Sequence, residues 1–87
     1  MSIYDKVTLI AGSDMDTYPI ERLGIPRLKM CDGPVGVRRG QATAFPSSIC
    51  MAATWDPGMA YKVSSAIADE AKAKGRNMSL APCINIL

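Results

Sequence analysis

The 87-residue chain contains no histidine, and this absence excludes several kinds of chemistry. Without an imidazole, the chain cannot form a Ser-His-Asp or Cys-His nucleophilic centre of its own. Cys31, Cys50 and Cys83 are widely spaced and form no Cys-x-x-Cys pair, so neither a zinc site nor a disulfide framework is expected. All three cysteines are predicted to be small buried hydrophobic residues.

The chain also lacks a long apolar run and a strong charge of either sign. A membrane-spanning helix needs about 20 apolar residues, and no such run is present. The first residues lack the basic and apolar regions of a secretory signal, which predicts a cytoplasmic protein. The net charge of +2 gives no reason to expect nucleic acid or a membrane as a partner. Hydrophobic residues make up 48% of the chain, as in a folded domain.

Helical and strand patterns alternate along the sequence. Ser2 and Asp5 have the spacing of a capping box, and Asp56-Pro57 is a typical helix start. The predicted elements are a helix at 2–11, a turn at 20–23, a strand at 27–31, a helix beginning at 45–46, a helix at 57–74 and a strand at 76–81. Strands separated by amphipathic helices favour an α/β fold with parallel strands. Two strands do not form an independent sheet of this kind, so a truncated C-terminal end is expected.

The segment Asp32-Gly33-Pro34 places a carboxylate directly after the first predicted strand. Such a side chain has two interpretations: it binds its own backbone within a turn, or it holds a polar ligand at the mouth of the strand. Arg38 and Arg39 follow closely, and we expect either a solvated pair or a partner for a nearby carboxylate. Asp14 and Asp16 lie at alternate positions, as the first calcium ligands of an EF-hand do. The glycine and the closing glutamate of an EF-hand do not follow at the required spacing, so a calcium loop is not expected.

Trp55 and Asn85 each have a structural and a functional interpretation, whereas the methionines have only a structural one. Trp55 could stack on the ring of a ligand, but beside two alanines a core position is favoured. Asn85 follows the second strand and is predicted to face the same rim as Asp32, where it either shapes a pocket or makes a structural hydrogen bond. The methionines are expected to fill the core, namely Met15, Met30, Met51, Met59 and Met78.

Several segments together resemble the N-terminal part of glycoside hydrolase family 3, which includes many β-glucosidases. They follow the order and spacing of the family pattern across nearly the whole chain. The segments are DKVTLIAG at 5–12, LGIP at 23–26, DGPVGVR at 32–38, TAFP at 43–46, AATWD at 52–56, EAKAKG at 70–75 and LAPCINI at 80–86.

This resemblance implies a fold and a function. Residues 1–87 would form the first two βα units of a TIM-like (β/α)8 barrel, which takes roughly 250 residues when complete. The activity implied is that of a retaining β-glucosidase acting on terminal, non-reducing β-linked glucose or a related sugar. By the same resemblance, Asp32 is a substrate-binding carboxylate. No metal or organic cofactor is implied.

The resemblance supplies no catalytic residue within the chain. The nucleophilic aspartate, the acid/base glutamate, a sugar-binding arginine and a Lys-His pair would all lie in sequence beyond residue 87. The isolated chain is therefore expected to be inactive and to need the rest of the barrel, or self-association, to complete its fold. The alternative hypothesis is a non-catalytic carbohydrate-binding or interaction module that completes its sheet with a partner chain.

Overall fold

The computed structural model describes residues 1–85 as a short α/β arrangement. Its elements, in chain order, are α1 (Ile3–Ala11), a 3-10 turn (Glu21–Leu23), β1 (Met30–Asp32), α2 (Ser48–Ala52), α3 (Pro57–Ala73) and β2 (Met78–Leu80). Among the described residues, no helix is long and apolar enough to cross a membrane.

The two strands are parallel neighbours, and both helices α2 and α3 lie between them in sequence. The register pairs Met30 with Met78, Cys31 with Ser79 and Asp32 with Leu80. Parallel strands need a long crossover connection, which α2 and α3 provide here. The prediction of an α/β fold with parallel strands is therefore confirmed for this part of the chain.

Both predicted helix caps are present. The Ser2 hydroxyl accepts a hydrogen bond from the Asp5 N–H at 3.1 Å, while the Asp5 carboxylate accepts from the Ser2 backbone, which completes the capping box. The Asp56 carboxylate accepts hydrogen bonds from the N–H groups of Gly58 and Met59 at 2.8 and 3.1 Å. These contacts satisfy N–H groups that a helix leaves without internal partners.

The predicted boundaries of the strands and of α2 need correction. Strand β1 starts at Met30 because the backbone of Lys29 is bonded to Asn77: the Lys29 N–H donates to Asn77 Oδ1 at 2.7 Å, and its carbonyl accepts from the Asn77 N–H. Strand β2 starts later than predicted because the Arg76 N–H still bonds to the carbonyl of Ala71 in α3. Helix α2 begins after Ser47, whose backbone is extended, so Pro46 lies outside it.

The apolar core of this chain is small and lies where α3 crosses the strands. Cys31, Val37 and Ala71 form a buried cluster against which Ile67 packs. The radius of gyration is 15.7 Å, whereas a compact domain of this length has a value of about 12 Å. The accessible surface is 6473 Å², against about 5,000 Å² for a compact monomer of this mass. Much apolar surface is therefore uncovered.

Several residues predicted to be buried lie on this uncovered surface. Cys31 is buried as expected, but Cys50 and Cys83 are exposed, so that prediction is wrong for two of the three cysteines. Trp55 is 92% exposed rather than a core anchor. Met15, Met59 and Met78 are also exposed, and only Met30 and Met51 are partly covered. Buried apolar residues are found mainly where α3 and the strands meet, with Ile20 buried outside that cluster.

Candidate functional site

Asp32 is the last residue of β1, at the carboxyl end of the two parallel strands. Its side chain remains 45% exposed, in contrast to Cys31 beside it, which is buried in the core. Alternate side chains of a strand point to opposite faces, so a buried Cys31 directs its neighbour Asp32 away from the core. The strand thus holds a carboxylate at its open end, where a ligand can reach it.

The loop that follows folds back on Asp32 and brings an arginine beside it. The Arg38 N–H donates to the Asp32 carbonyl at 3.0 Å, and the Gly36 N–H donates to the Gly33 carbonyl at 3.4 Å. Val37 is buried in the core and anchors the loop. As a result, Arg38 Nη1 lies 3.9 Å from Asp32 Oδ2. Both predicted descriptions of the arginines hold, since Arg38 and Arg39 are exposed and Arg38 is also the partner of a carboxylate.

Two glycines allow this loop to pack closely. A Cβ on Gly33 would lie 2.6 Å from Ser79 Oγ on β2. The absence of a side chain at Gly33 therefore allows the loop to lie against the neighbouring strand. Gly36 has a φ of +112°, and a Cβ there would lie 2.2 Å from the Thr43 carbonyl oxygen. The backbone of Gly36 therefore needs both the conformational freedom and the missing side chain of glycine.

The chain between β1 and α2 returns along the outside of this loop and is held there by α3. The Phe45 N–H donates to the Val35 carbonyl at 2.9 Å. Two residues earlier, the Thr43 N–H donates to Glu70 Oε1 at 3.0 Å and to Oε2 at 3.2 Å, and the Thr43 hydroxyl donates to Oε1 at 3.2 Å. Glu70 appeared in the sequence only as part of the 70–75 segment, and nothing in that pattern indicated this contact.

A groove of about 770 Å³ lies beside the loop, between α2, α3 and the residues after β2. Gly33, Pro34 and Asn85 contribute to its wall, as does the exposed Trp55, but Asp32 does not. Asn85 accepts a hydrogen bond from Cys83 Sγ at 3.0 Å. Asn85 is therefore next to the Asp32 loop but lines the adjacent groove.

An ion pair at the opposite end of the strands was not foreseen in the sequence. Arg76 Nη1 lies 2.7 Å from Asp16 Oδ1, and the two side chains are only 9% and 16% exposed. The same Arg76 nitrogen donates to the Met30 carbonyl at 3.4 Å. Sixty residues separate the partners in the sequence, so no local pattern signals the pair. It ties the loop after α1 to the start of β2.

The arrangement around Asp32 suits binding rather than bond cleavage. A carboxylate accepts hydrogen bonds from hydroxyl groups, and such charge-assisted bonds are strong. A retaining glycosidase needs two carboxyl groups about 5–5.5 Å apart. Within residues 1–85, no cluster of three or more acidic or cysteine side chains is placed to hold a metal ion. What this rim offers is one accessible carboxylate with a guanidinium beside it.

Comparison with known proteins identifies the family. Residues 5–87 match the family described as "Glycosyl hydrolase family 3 N terminal domain". The chain belongs to glycosyl hydrolase family 3. It is 39% identical over 94 residues to the beta-glucosidase of Rhizobium radiobacter and 41% identical over 92 residues to the probable beta-glucosidase I of Aspergillus clavatus. The family resemblance predicted from the sequence is confirmed.

These matches cover nearly all of this chain but little of the relatives. They include 99% and 98% of the chain, respectively, yet only 12% of the Rhizobium protein and 11% of the Aspergillus protein. The chain therefore spans about one ninth of the length of these relatives. No solved structure gives a significant match.

Proposed function

We propose that residues 1–87 are the first two βα units of a TIM-like barrel in a retaining β-glucosidase, and that Asp32 binds the sugar. The observation that carries this proposal is the accessible carboxylate at the carboxyl end of β1. In barrels of parallel strands, ligands bind at this end. Family membership and β-glucosidase relatives support the substrate class, which is a β-glucoside or oligosaccharide with terminal β-linked glucose.

Asp32 would hold the terminal sugar through two of its hydroxyl groups, one on each carboxylate oxygen. Arg38 lies close enough to limit the orientations of the carboxylate, although an exposed pair at 3.9 Å contributes only about 0–1 kcal/mol to stability. The proposed effect of Arg38 is to orient the Asp32 carboxylate rather than to stabilise the fold. The nucleophile and the acid/base would come from sequence outside this chain.

The uncovered apolar surface supports a need for further protein. Helix α1 exposes the face that carries Ile3, Val7 and Ile10, and Ile10 is 85% exposed. Trp55 at the groove is also exposed, and the strands have open edges. Exposed surfaces of this extent are typical of protein interfaces. In our proposal the remainder of the barrel covers them, so the isolated chain would have no glucosidase activity.

The test uses a chimaeric enzyme, in which this chain replaces the aligned N-terminal region of the Rhizobium radiobacter β-glucosidase. Asp32→Ala should lower kcat/KM for an aryl β-glucoside about 10²–10⁴-fold, because two hydrogen bonds to a charged group are lost. Asp69→Ala, which removes an exposed carboxylate on α3, is the matched control and should have little effect. Equal activities of the two variants, or a folded chimaera without activity, would contradict the proposal.

The exposed groove also favours a second candidate, an interaction or carbohydrate-binding module without catalysis. Such a module would complete its sheet with another chain, because both strands present edges. Sedimentation of the purified 87-residue chain tests this hypothesis: a stable dimer that binds methyl β-glucoside without hydrolysing it would favour the module. A monomer without sugar affinity would count against it.

A further inference from the structure

Helix α3 holds the outer segment of the Asp32 site at two points, one helical turn apart. Both carboxylate oxygens of Glu70 accept hydrogen bonds from Thr43. Lys74 Nζ donates to the carbonyl of Gln41, two residues earlier in the same segment. Lys74 is the residue that caps the end of α3, and its N–H still bonds to the Glu70 carbonyl at 3.1 Å. Residues i and i+4 lie on one side of a helix, so Glu70 and Lys74 both contact residues 41–43.

The segment that α3 holds is the outer support of the Asp32 loop. The Thr43 carbonyl oxygen lies against Gly36, at the position where any Cβ would overlap it. On the C-terminal side, the Phe45 N–H is bonded to the Val35 carbonyl. A shift of Thr43 would therefore be transmitted to residues 35 and 36, in the middle of the loop that carries Arg38.

The same helix fixes the inner side of the loop. Ala71, the neighbour of Glu70, is buried together with Val37 and Cys31. Two adjacent residues of the loop thus have separate supports. Val37 packs on α3, and Gly36 contacts the segment that is bonded to Glu70. The loop is bonded in turn to Asp32, since the Arg38 N–H donates to its carbonyl.

We infer that Glu70 is a positioning residue for the sugar site, acting on Asp32 through Thr43 and Gly36 without touching the ligand. This inference rests on the proposed function of Asp32. A carboxylate suits the task because its two oxygens accept both the N–H and the hydroxyl of one residue, and such bonds to a charged acceptor are strong. The residue at position 70 would thereby limit the movement of the Asp32 carboxylate and of Arg38 relative to the sugar.

The first experiment measures amide hydrogen exchange in the chimaeric enzyme without sugar, by mass spectrometry with fragmentation to single-residue resolution. Glu70→Ala should lower the protection of the Thr43 amide about 10- to 100-fold, because a hydrogen bond to a charged group is lost. Protection at Phe45 and Arg38 should fall with it, while the amides of α3 stay protected. Glu70→Gln keeps one acceptor oxygen and should recover part of the protection. Asp69→Ala, next to Glu70 on the same helix, is the control and should change none of these amides.

The second experiment is a double-mutant cycle in the chimaeric enzyme. Glu70→Ala should lower kcat/KM for an aryl β-glucoside about tenfold when Asp32 is present and less than about twofold in the Asp32→Ala background. Residues that act through one another show this non-additivity, whereas independent ones do not. A general structural role would instead give the same loss in both backgrounds.

The two experiments separate failure of this inference from failure of the proposed function. If Asp32→Ala leaves kcat/KM unchanged, the sugar-binding role is refuted, and the exchange data alone decide whether Glu70 holds the loop. If Asp32 matters but the effects of Glu70→Ala are additive, or α3 loses protection along with Thr43, the positioning role is overturned. If the Thr43 amide is unprotected while Glu70 is present, its bond to Glu70 is absent and the positioning role is likewise overturned.

Discussion

Replacing Gly36 with alanine tests whether the Asp32 loop needs the close approach seen in the structure. The substitution has two separate costs. A residue other than glycine at a φ of +112° carries backbone strain of about 1–3 kcal/mol. The new Cβ would also lie 2.2 Å from the Thr43 carbonyl oxygen. That is far inside the separation of about 3.5–4.0 Å at which atoms pack, and overpacking adds about 1–3 kcal/mol.

Gly40→Ala is the matched control for this prediction. Gly40 also has a positive φ, +64°, but nothing lies within 4 Å of the position of its Cβ. Its replacement should cost only the strain of the left-handed conformation, about 1–2 kcal/mol. Gly36→Ala should therefore destabilise the loop by about 2 kcal/mol more than Gly40→Ala, which is roughly a 30-fold difference in the opening equilibrium.

Amide exchange at Phe45 in the chimaeric enzyme measures this opening, because the Phe45 N–H is bonded to the Val35 carbonyl inside the loop. The protection of this amide should be about 30-fold lower in Gly36→Ala than in Gly40→Ala. Equal protection in the two variants would refute the close approach of Gly36 to Thr43. An unprotected Phe45 amide in the unmodified chain would show that the supporting segment does not lie where the structure has it.

Four further predictions concern the rest of the chain. Hydrogen bonds from the backbone and side chain of Ser2 lower the pKa of Asp5. The stabilisation of α1 by the ionised carboxylate should therefore be complete above the ordinary aspartate pKa of about 3.9 and be lost as the pH falls further. The NMR chemical shifts of the α1 Cα atoms report this loss of helix, and Asp5→Asn should abolish the pH dependence. Arg76→Met leaves Asp16 with only the more distant Arg27, whose Nη1 lies 4.0 Å from Asp16 Oδ2, and should cost about 1.5–3 kcal/mol in thermal unfolding of the chimaera. A change below about 1 kcal/mol would contradict the ion pair. The isolated chain should show a broad, weakly cooperative urea transition, and a sharp one with the m-value expected for its length would disprove this. Finally, the purified chain should not hydrolyse an aryl β-glucoside, and its cytoplasmic location stays a prediction that cell fractionation can test.

The sequence predicted well those features that depend on neighbouring residues. The capping contacts of Ser2 and Asp56 are local, because cap and first turn lie within three residues of each other. The parallel order of the strands followed from the long helical segment between them. Short strands were placed less well: residues 27–29 have a strand-like pattern, but the Lys29 N–H is bonded to the Asn77 side chain rather than to a backbone carbonyl of β2.

The candidate site was also only partly predictable from the sequence. The position of Asp32 after a strand was visible in the sequence, since Gly33-Pro34 must turn the chain. The family resemblance suggested what this carboxylate binds, a role that stays a prediction. The contacts that support the Asp32 loop were not visible, because Glu70 is 27 residues from Thr43. The same holds at the other end of the strands, where Arg76 is 60 residues from Asp16. Hydrogen bonds over such distances leave no periodic pattern in a sequence.

The sequence by itself determined the family, the order of the elements, the helix caps and the carboxylate at the end of β1. Each of these depends on residue identity or on contacts between close neighbours. Only the tertiary structure decided which apolar residues are covered: Cys31 and Ala71 are buried where α3 meets the strands, while Trp55 and Ile10 are not. The physical reason is that the hydrophobic effect is non-directional: it favours the burial of an apolar side chain but does not specify which surface covers it.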